Sequence, residues 1–341
     1  MSATGTLGEF GLIERYFTRR GRPAASARPE GSSRVALGVG DDCALLAPAP
    51  GMQLAISTDM LVEGRHFLST VDPARLGHKA LAVNLSDLAA CGARPVAFTL
   101  ALALPSVEEG WLAGFSRGLF ALADAHSCEL VGGDTTRGPL NISITVFGEL
   151  PAGSALLRSG ARAGDDLWAS GTLGDARLAL EAFRGTLVLP SALFEMARAR
   201  MEQPTPRVAL GQALRGIASA AVDVSDGLLG DLRHILEASR VGARVDADAA
   251  IELIAANAHP AGGEARLDME TLRRCALSGG DDYELLFTAP PDLRQAVEQA
   301  GRASATPVAR IGRIEAEPGV RVVDRAGAPV AQRFTSFDHF G

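Results

Sequence analysis

The chain has 341 residues, of which 47% are hydrophobic and 21% are charged, and its formal net charge is −7. The apolar content excludes an intrinsically disordered chain, and the acidic balance argues against broad binding of nucleic acid. At roughly 100–200 residues per domain, the length predicts two domains. The longest apolar run, over residues 96–104, is too short to span a bilayer.

The basic residues and the cysteines narrow the chemistry further. Only Lys79 among the 33 basic residues is a lysine, and no Gly-Lys-Ser/Thr sequence of a Walker A loop exists. Phosphate chemistry must therefore use arginine, metal ions and backbone N–H groups. The four cysteines show no Cys-x-x-Cys spacing and are typical of buried thiols in a reducing compartment. Residues 1–11 lack the features of a signal peptide, so we expect the cytoplasm.

The first half alternates predicted helices and strands. Residues 7–19 predict an amphipathic helix, and a loop rich in Gly, Pro and Arg follows. The remaining predicted elements are strands over 35–39, 53–57, 96–104, 129–131 and 141–149, and helices over 73–91 and 107–126.

The second half repeats this alternation after a segment of Gly, Ser, Pro and Arg over 151–166. Its predicted elements are strands over 167–170, 220–223, 284–288 and 308–314, and helices over 175–183, 207–217, 226–239 and 292–301. Ser225 or Asp226 is the expected N-cap of the helix over 226–239. We predict an α/β (α+β) fold of two layered sheet-and-helix domains, over 1–150 and 151–341.

Aspartates follow many of the predicted strands, and most of them lie beside glycine. They are Asp41, Asp42, Asp59, Asp134, Asp223, Asp226, Asp281 and Asp282. Each of them alone is more typical of a turn than of a ligand site. As a set they predict a ligand site, because ligands of open α/β sheets bind at the carboxyl ends of strands. Converging carboxylates need cations, and hard oxygen ligands suit Mg²⁺.

Two further patterns fit such a site. Asn84 and Asp87 lie three residues apart and share one face of a predicted helix. The alternatives are a solvated polar stripe or a pair whose hydrogen bonds are satisfied at a helix end. The Gly- and Thr-rich segment over 132–138 is interpreted as a loop that offers backbone N–H groups to phosphate, the alternative being a plain hairpin loop.

Eight blocks of the sequence resemble those of the thiamine-monophosphate kinases, and they run in order through nearly the whole chain. The blocks are GEF at 8–10, GVGDDCA at 38–44, STD at 57–59, AVNLSDLAA at 82–90, GGDTT at 132–136, VDVSDGL at 222–228, SGGDDYEL at 278–285 and DHF at 338–340. A single Gly-Asp-Asp would carry no weight, whereas eight blocks in register are specific to the family.

The resemblance implies a fold similar to that of aminoimidazole-ribotide synthetase. The domain over 1–150 would bind ATP and metal and dimerise through its sheet, and the domain over 151–341 would close the active site. The implied reaction is Mg²⁺-dependent, direct in-line transfer of the ATP γ-phosphoryl to thiamine monophosphate, which gives thiamine diphosphate and ADP. The acceptor phosphate is largely dianionic at pH 7, so we assign no general base.

The resemblance also implies three sets of site residues. The implied metal ligands, for several Mg²⁺ ions, are Asp42, Ser57, Thr58, Asp59, Asp87, Asp134, Asp223 and Asp226. The implied ATP contacts are Arg117, Gly133, Asp134, Arg158 and Ser225, and the implied thiamine contacts are His66, Asp281 and Phe337. The chain departs from the family at Asp281, where Glu is usual, and at Phe337, where Trp or Tyr is common. Without the resemblance, His66 is more typical of a structural histidine than of a ligand contact.

Two other classes of function stay open at this point. One is another ATP-dependent enzyme of the superfamily, such as aminoimidazole-ribotide synthetase or selenophosphate synthetase. The other is a non-catalytic protein that senses nucleotide or thiamine phosphate. We expect a homodimer that takes small-molecule substrates and binds neither nucleic acid nor membrane.

Overall fold

The computed structural model describes residues 9–18, 34–39, 43–259, 267–331 and 334. The chain divides into two compact units. Unit 1 comprises Met1–Leu88 and Arg94–Ala152, and unit 2 comprises Ala89–Ala93 and Gly153–Gly341. Two predicted site residues, Asp42 and Phe337, lie outside the described residues.

Unit 1 is built on a four-stranded sheet with the strand order β3-β6-β4-β5. Strand β6 pairs antiparallel with both β3 and β4, and β5 pairs parallel with β4. The elements of this part of the chain are α1 (Glu9–Leu12), a π-helical turn (Ile13–Phe17), β1 (Val35–Leu37), β2 (Leu45–Leu46), β3 (Met52–Val62), α2 (Pro73–Ala90), β4 (Arg94–Leu104), α3 (Glu109–Ala125), β5 (Glu129–Arg137) and β6 (Asn141–Pro151).

Close packing of α2 against α3 depends on two glycines. A Cβ at Gly118 would lie 1.8 Å from the carbonyl oxygen of Ala74, and one at Gly77 would lie 2.1 Å from that of Phe115. Asp72 caps α2 by accepting the N–H groups of its second and third residues. The single lysine of the chain, Lys79, lies on this helix and is 2% exposed.

Unit 2 contains a six-stranded sheet with the order β12-β9-β11-β7-β10-β8, in which only β12 and β9 pair in parallel. Its strands are β7 (Asp166–Ser170), β8 (Ala220–Asp223), β9 (Gly242–Asp246), β10 (Leu285–Ala289), β11 (Val308–Glu315) and β12 (Gly319–Val323). Its helices are α4 (Asp175–Phe183), α5 (Ser191–Glu202), α6 (Val208–Ala213), α7 (Leu228–Ser239), α8 (Ala247–Ile251), α9 (Ala255–Ala258), α10 (Met269–Ser278), a 3₁₀ turn (Pro291–Leu293) and α11 (Arg294–Ala303). Buried residues of β7, β8, α4, α7 and α10 form a continuous core.

Most predicted elements are present, and the α/β fold of two layered sheet-and-helix units is confirmed. Strands β2, β9 and β12 and helices α5, α8, α9 and α10 were not predicted, and three predicted details were wrong. Strand β3 continues to Val62 instead of ending at residue 57, because it pairs with β6 over its whole length. Strand β5 runs through residues 132–137, which were expected to form a loop. Helix α7 begins at Leu228, and neither Ser225 nor Asp226 caps it.

Among the helices that the described ranges contain, none combines the length and the apolar character that crossing a bilayer requires.

Candidate functional site

The candidate site of unit 1 lies where edge strand β3 meets helix α2. The backbone N–H of Asp59 donates to Oδ1 of Asn84 at 3.0 Å, and the hydroxyl of Ser57 donates to Oδ2 of Asp87. Asn84 is 1% exposed, and its amide nitrogen donates to the carbonyl of Ala80 at 3.0 Å. The alternative of a solvated stripe is therefore wrong for Asn84, because this side chain joins the helix to the sheet.

Strand alternation and helical spacing explain this arrangement. Ser57 and Asp59 are two residues apart on β3, so their side chains lie on one face of the sheet. Asn84 and Asp87 are three residues apart on α2, so they share one side of the helix. The result is a group of carboxylate, hydroxyl and amide oxygens, which is the donor chemistry that Mg²⁺ prefers.

Two predicted metal ligands of unit 1 lie elsewhere on the sheet. The Thr58 hydroxyl lies 2.8 Å from that of Thr145, an exposed pair on the face of β3 opposite to Ser57 and Asp59. Asp134 lies on β5 opposite Ala101, and strands β6 and β4 separate β5 from β3. At about 4.8 Å between strands, this places β5 about 14 Å from β3. The structure therefore does not bring either side chain to the β3–α2 edge.

Gly133 has a role that its neighbourhood of glycines and threonines did not suggest. Its φ is +148°, and a Cβ there would lie 1.9 Å from the carbonyl oxygen of Leu100 on β4. The backbones of β4 and β5 thus approach so closely that only glycine fits. Both loop interpretations of this segment were wrong, since it continues the parallel ladder.

The remaining predicted residues of unit 1 are His66 and Arg117. The backbone N–H of Val62 donates to Nδ1 of His66 at 3.0 Å, so a neutral imidazole carries its proton on Nε2. This leaves the turn after β3 with an imidazole in a defined tautomer. Arg117 is exposed on α3.

The candidate site of unit 2 is formed by two loops at one end of strands β8 and β10. Asp223 ends β8 and is 7% exposed, and it pairs with Leu285 of β10. Beyond this pair, the N–H of Tyr283 donates to the carbonyl of Val224 at 2.8 Å, and the N–H of Asp281 donates to that of Ser225 at 2.7 Å. These bonds bring the predicted residues Asp223, Ser225, Asp226 and Asp281 into one place.

The loop that carries Asp281 adopts unusual backbone conformations. Asp281 has a φ of +65° and Tyr283 has a φ of +51°, which few residues other than glycine adopt. Gly280 has a φ of +72°, and a Cβ there would lie 2.7 Å from the carbonyl oxygen of Ser225. Such strain persists only where the surroundings fix the backbone, and it is concentrated at functional sites.

Asp231 supports the other loop, and the sequence analysis missed it. Its Oδ2 atom accepts the N–H groups of Ser225, Asp226 and Gly227 at 3.0, 3.0 and 3.2 Å. Burial and, second, the carboxylate of Asp226 raise the pKa of Asp231 to about 7, against the lowering effect of the three N–H donors. The sequence feature that could have indicated this role is an aspartate inside an otherwise apolar helical stretch.

A buried charged group lies behind the Asp281 loop. Glu284 is fully buried and accepts from Arg200 at 2.8 Å, from Arg207 at 2.6 and 2.5 Å, and from the Ser170 hydroxyl at 2.7 Å. Asp282 accepts the N–H of Gly174 at 2.8 Å through Oδ1, while its Oδ2 has no hydrogen-bond partner among the residues that the structure describes. Burial raises the pKa of Asp282 well above its usual range.

Arg158, a predicted ATP contact, is exposed in the segment that precedes β7. Its carbonyl accepts the hydroxyl of Ser239 at 3.2 Å, which ties this segment to the end of α7. Within the described part of the chain, no three His, Cys, Asp or Glu side chains are gathered so that they could hold a metal ion. The metal-ligand set of the sequence analysis therefore stays a prediction.

Comparison with known proteins defines the family. Family models for AIR synthase related proteins match in two parts: the N-terminal domain over residues 40–150 and the C-terminal domain over residues 162–325. The thiamine-monophosphate kinase of Salmonella typhimurium is 48% identical over 335 residues, which are 98% of this chain and 98% of that protein. The chain belongs to the thiamine-monophosphate kinase family.

Solved structures of this family share the fold. The thiamine-monophosphate kinase from Stenotrophomonas maltophilia is 46% identical, with a TM-score of 0.80, and the match covers 96% of this chain and 99% of that one. A structure of AaThiL complexed with AMPPCP and TMP is 30% identical, with a TM-score of 0.72, and the match covers 86% and 89% of the two chains.

Proposed function

We propose that the protein is an ATP-dependent kinase that phosphorylates thiamine monophosphate to thiamine diphosphate, and thus serves thiamine diphosphate biosynthesis. The observation that carries the proposal is the oxygen-rich edge formed by Ser57, Asp59, Asn84 and Asp87 in a chain of this family. A phosphotransferase without a P-loop lysine needs such a set of oxygen donors for the cations that accompany its phosphates.

The proposed residue roles keep the three sets of residues that the family resemblance implies. We assign Mg²⁺ coordination to Asp42, Ser57, Thr58, Asp59, Asp87, Asp134, Asp223 and Asp226. For Thr58 we assign only main-chain atoms, because its side chain lies on the face of the sheet opposite to Ser57 and Asp59. We assign ATP contacts to Arg117, Gly133, Asp134, Arg158 and Ser225, and thiamine contacts to His66, Asp281 and Phe337.

In the proposed reaction the protein positions its substrates, and no side chain is required to act as a general base. A phosphate monoester is mostly dianionic at pH 7 and attacks without losing a proton to the protein. Bound Mg²⁺ supplies neutralisation of the phosphate charges and a template for the in-line transfer. The carboxylates of Asp59 and Asp87 hold negative charge where cations are required. Asp281 offers a carboxylate to the cationic thiazolium ring.

The deciding experiment incubates the purified protein with thiamine monophosphate, ATP and Mg²⁺ and identifies the products by mass. We expect thiamine diphosphate and ADP in equal amounts, and loss of turnover when the divalent metal is chelated. ADP without thiamine diphosphate would favour another ATP-dependent enzyme of the superfamily. Nucleotide binding without any turnover would favour a sensor.

We further propose that the protein is a homodimer joined through the open face of the unit 1 sheet. Leu54, Ile56 and Met60 alternate along β3 on that face and are 41%, 60% and 54% exposed. A row of exposed apolar residues on an edge strand is typical of an interface. The substitution Ile56→Arg should give a monomer in sedimentation analysis, and an unchanged mass would contradict this interface.

We place the protein in the cytoplasm, with small molecules as its substrates. The net charge of −7 does not favour nucleic acid or anionic membranes as partners.

A further inference from the structure

A buried carboxylate shapes the loop that carries Ser225 and Asp226. Asp231 is the fourth residue of α7 and is 3% exposed. An ordinary capping residue precedes its helix. Asp231 instead lies inside α7, and its side chain reaches back to the three residues that precede the helix. A single oxygen, Oδ2, accepts the N–H groups of Ser225, Asp226 and Gly227. These three N–H groups therefore converge on one atom.

The same loop contacts the segment of Asp281. The carbonyl of Ser225 accepts the N–H of Asp281 at 2.7 Å. Gly227 has a φ of +113°, and a Cβ there would lie 2.9 Å from the Cα of Ser278. With no space between the two segments, a change in the backbone of one shifts the other. The hydrogen bonds of Asp231 thus bear on both loops.

The charge of Asp231 has a second effect. Three convergent N–H dipoles create a positive potential, which attracts anions and disfavours a cation nearby. The Asp231 carboxylate, when ionised, cancels this potential, since its Oδ2 accepts the backbone N–H of Asp226 at 3.0 Å. A cation beside Asp226 is then not opposed by the backbone that surrounds it.

We propose that Asp231 is a positioning residue that holds the loop over residues 225–227 in the shape required to bind nucleotide with its divalent cation. The proposal rests on the proposed function for the roles of Ser225 and Asp226. Asp231 acts through the backbone of this loop and does not touch the substrates. Its contribution appears in nucleotide affinity and in the protection of the three amides.

The competing interpretation is that Asp231 only stabilises α7. Asp246 provides the matched comparison, since its carboxylate accepts the N–H groups of Asp248 and Ala249, each at 3.0 Å, at the start of α8. Asp246 ends β9, which is four strands away from β8 in the sheet. Removing this cap costs stability without reaching the loop.

The experiment uses full-length Asp231→Leu, Asp231→Asn and Asp246→Ala. Titration with AMPPCP and Mg²⁺ measures affinity, and hydrogen exchange measures protection of the amides of residues 225–227 and 281. We expect Asp231→Leu to bind AMPPCP at least about 10-fold more weakly and to lose protection in both segments. Asp231→Asn keeps one carbonyl acceptor but no charge, so its affinity should lie between those of Asp231→Leu and the wild type.

Asp246→Ala should keep the affinity of the wild type even if its thermal midpoint falls. If Asp231→Leu does not fold, Asp231→Asn decides, and an affinity equal to that of the wild type overturns the proposal. Equal losses in Asp231→Asn and Asp246→Ala also overturn it. A wild-type protein that binds AMPPCP but forms no thiamine diphosphate contradicts the proposed function instead and leaves the role of Asp231 standing.

Discussion

The two units present their oxygen donors by different structural means. In unit 1, Ser57, Asp59, Asn84 and Asp87 lie on a regular strand and a regular helix, where ordinary side-chain periodicity places them together. In unit 2, Ser225, Asp226 and Asp281 lie on two loops whose backbones are held by hydrogen bonds and include residues with positive φ values. A donor on a regular element depends on its own side chain, whereas a donor on such a loop depends also on the residues that hold the backbone.

The largest loss of stability is expected when the buried ion pairs of Glu284, behind the Asp281 loop of unit 2, are removed. Glu284→Ala leaves Arg200 and Arg207 without their buried partner, and breaking a buried ion pair from one side costs about 3–5 kcal/mol of the free energy of unfolding. Urea unfolding measures this loss. A variant with the stability of the wild type would show that the loop does not depend on this ion pair.

A substitution at Gly171 disturbs the same Glu284 ion pairs without changing a charge. Its φ is +55°, and a Cβ there would lie 2.1 Å from Oε1 of Glu284, so Gly171→Ala should displace the carboxylate. Gly153 is the matched control, because its φ is +75° but no atom of the described residues lies within 4 Å of its Cβ position. Gly153→Ala should cost only the conformational strain of about 1–2 kcal/mol.

In unit 1, a single side chain should affect turnover without affecting the fold. Asp87→Asn removes a negative charge from the β3–α2 edge but keeps its size, and we expect turnover to fall about 100- to 1,000-fold, as when a preorganised electrostatic contact is lost. Steady-state kinetics and thermal unfolding measure the two effects separately. Asp124→Asn, on the exposed side of α3, is the control and should be active. Equal activity of both variants would remove Asp87 from the site.

Asp281 tests whether its loop contacts the thiamine end of the substrate. Asn tolerates a positive φ as well as Asp does, so Asp281→Asn isolates the charge. The KM for thiamine monophosphate should rise about 5- to 150-fold, equivalent to 1–3 kcal/mol, while that for ATP changes little. Asp281→Glu should be tolerated. A rise confined to the KM for ATP would place Asp281 on the nucleotide side.

Glu149 of unit 1 should make a modest contribution to the free energy of unfolding that depends on pH. Burial alone would raise the pKa of Glu149, but hydrogen bonds from Arg94, Arg34 and the N–H of Ala49 outweigh it and lower the pKa below its ordinary value of 4.5. Its stabilisation is therefore complete above pH 4.5 and is lost as the pH falls through the lowered value. Glu149→Gln should cost about 1–3 kcal/mol at neutral pH.

Urea unfolding of the wild type and of Glu149→Gln at pH 7 and at about pH 3 measures this dependence. The difference between the two proteins should shrink at the lower pH. A difference that stays constant would mean that the ionised form of Glu149 has no special role.

The helices and strands could be predicted from the sequence better than the buried interactions that hold the loops of unit 2 in place. Helix α2 and strand β6 follow from periodicity, and the Asn84–Asp87 face follows from helical spacing. The continuation of β3 past Ser57 was missed because the polar pair Thr58 and Asp59 resembles a strand end, although pairing with β6 overrides this local signal. The two glycines before Asp134 indicate a loop by composition, but the close backbone of β4 is what requires glycine at position 133.

The interactions that hold the loops of unit 2 could not be predicted, because their partners lie far apart along the chain. Arg200 and Arg207 are 84 and 77 positions from Glu284 along the chain, and no local pattern links them. Helices α5 and α10 were missed entirely, and α5 carries Arg200. Asp231 lies within a predicted helix, yet its three donors are known only once the loop is folded.

The buried Lys79 has a practical consequence for labelling the protein. Because it is the only lysine of the chain and is 2% exposed, reagents that acylate primary amines find no accessible lysine on the folded protein. Amine chemistry is then confined to the terminal amino group. A lysine introduced at one chosen surface position would accept a fluorophore or a crosslinker selectively. Gradual acylation of Lys79 would conversely report that α2 has opened.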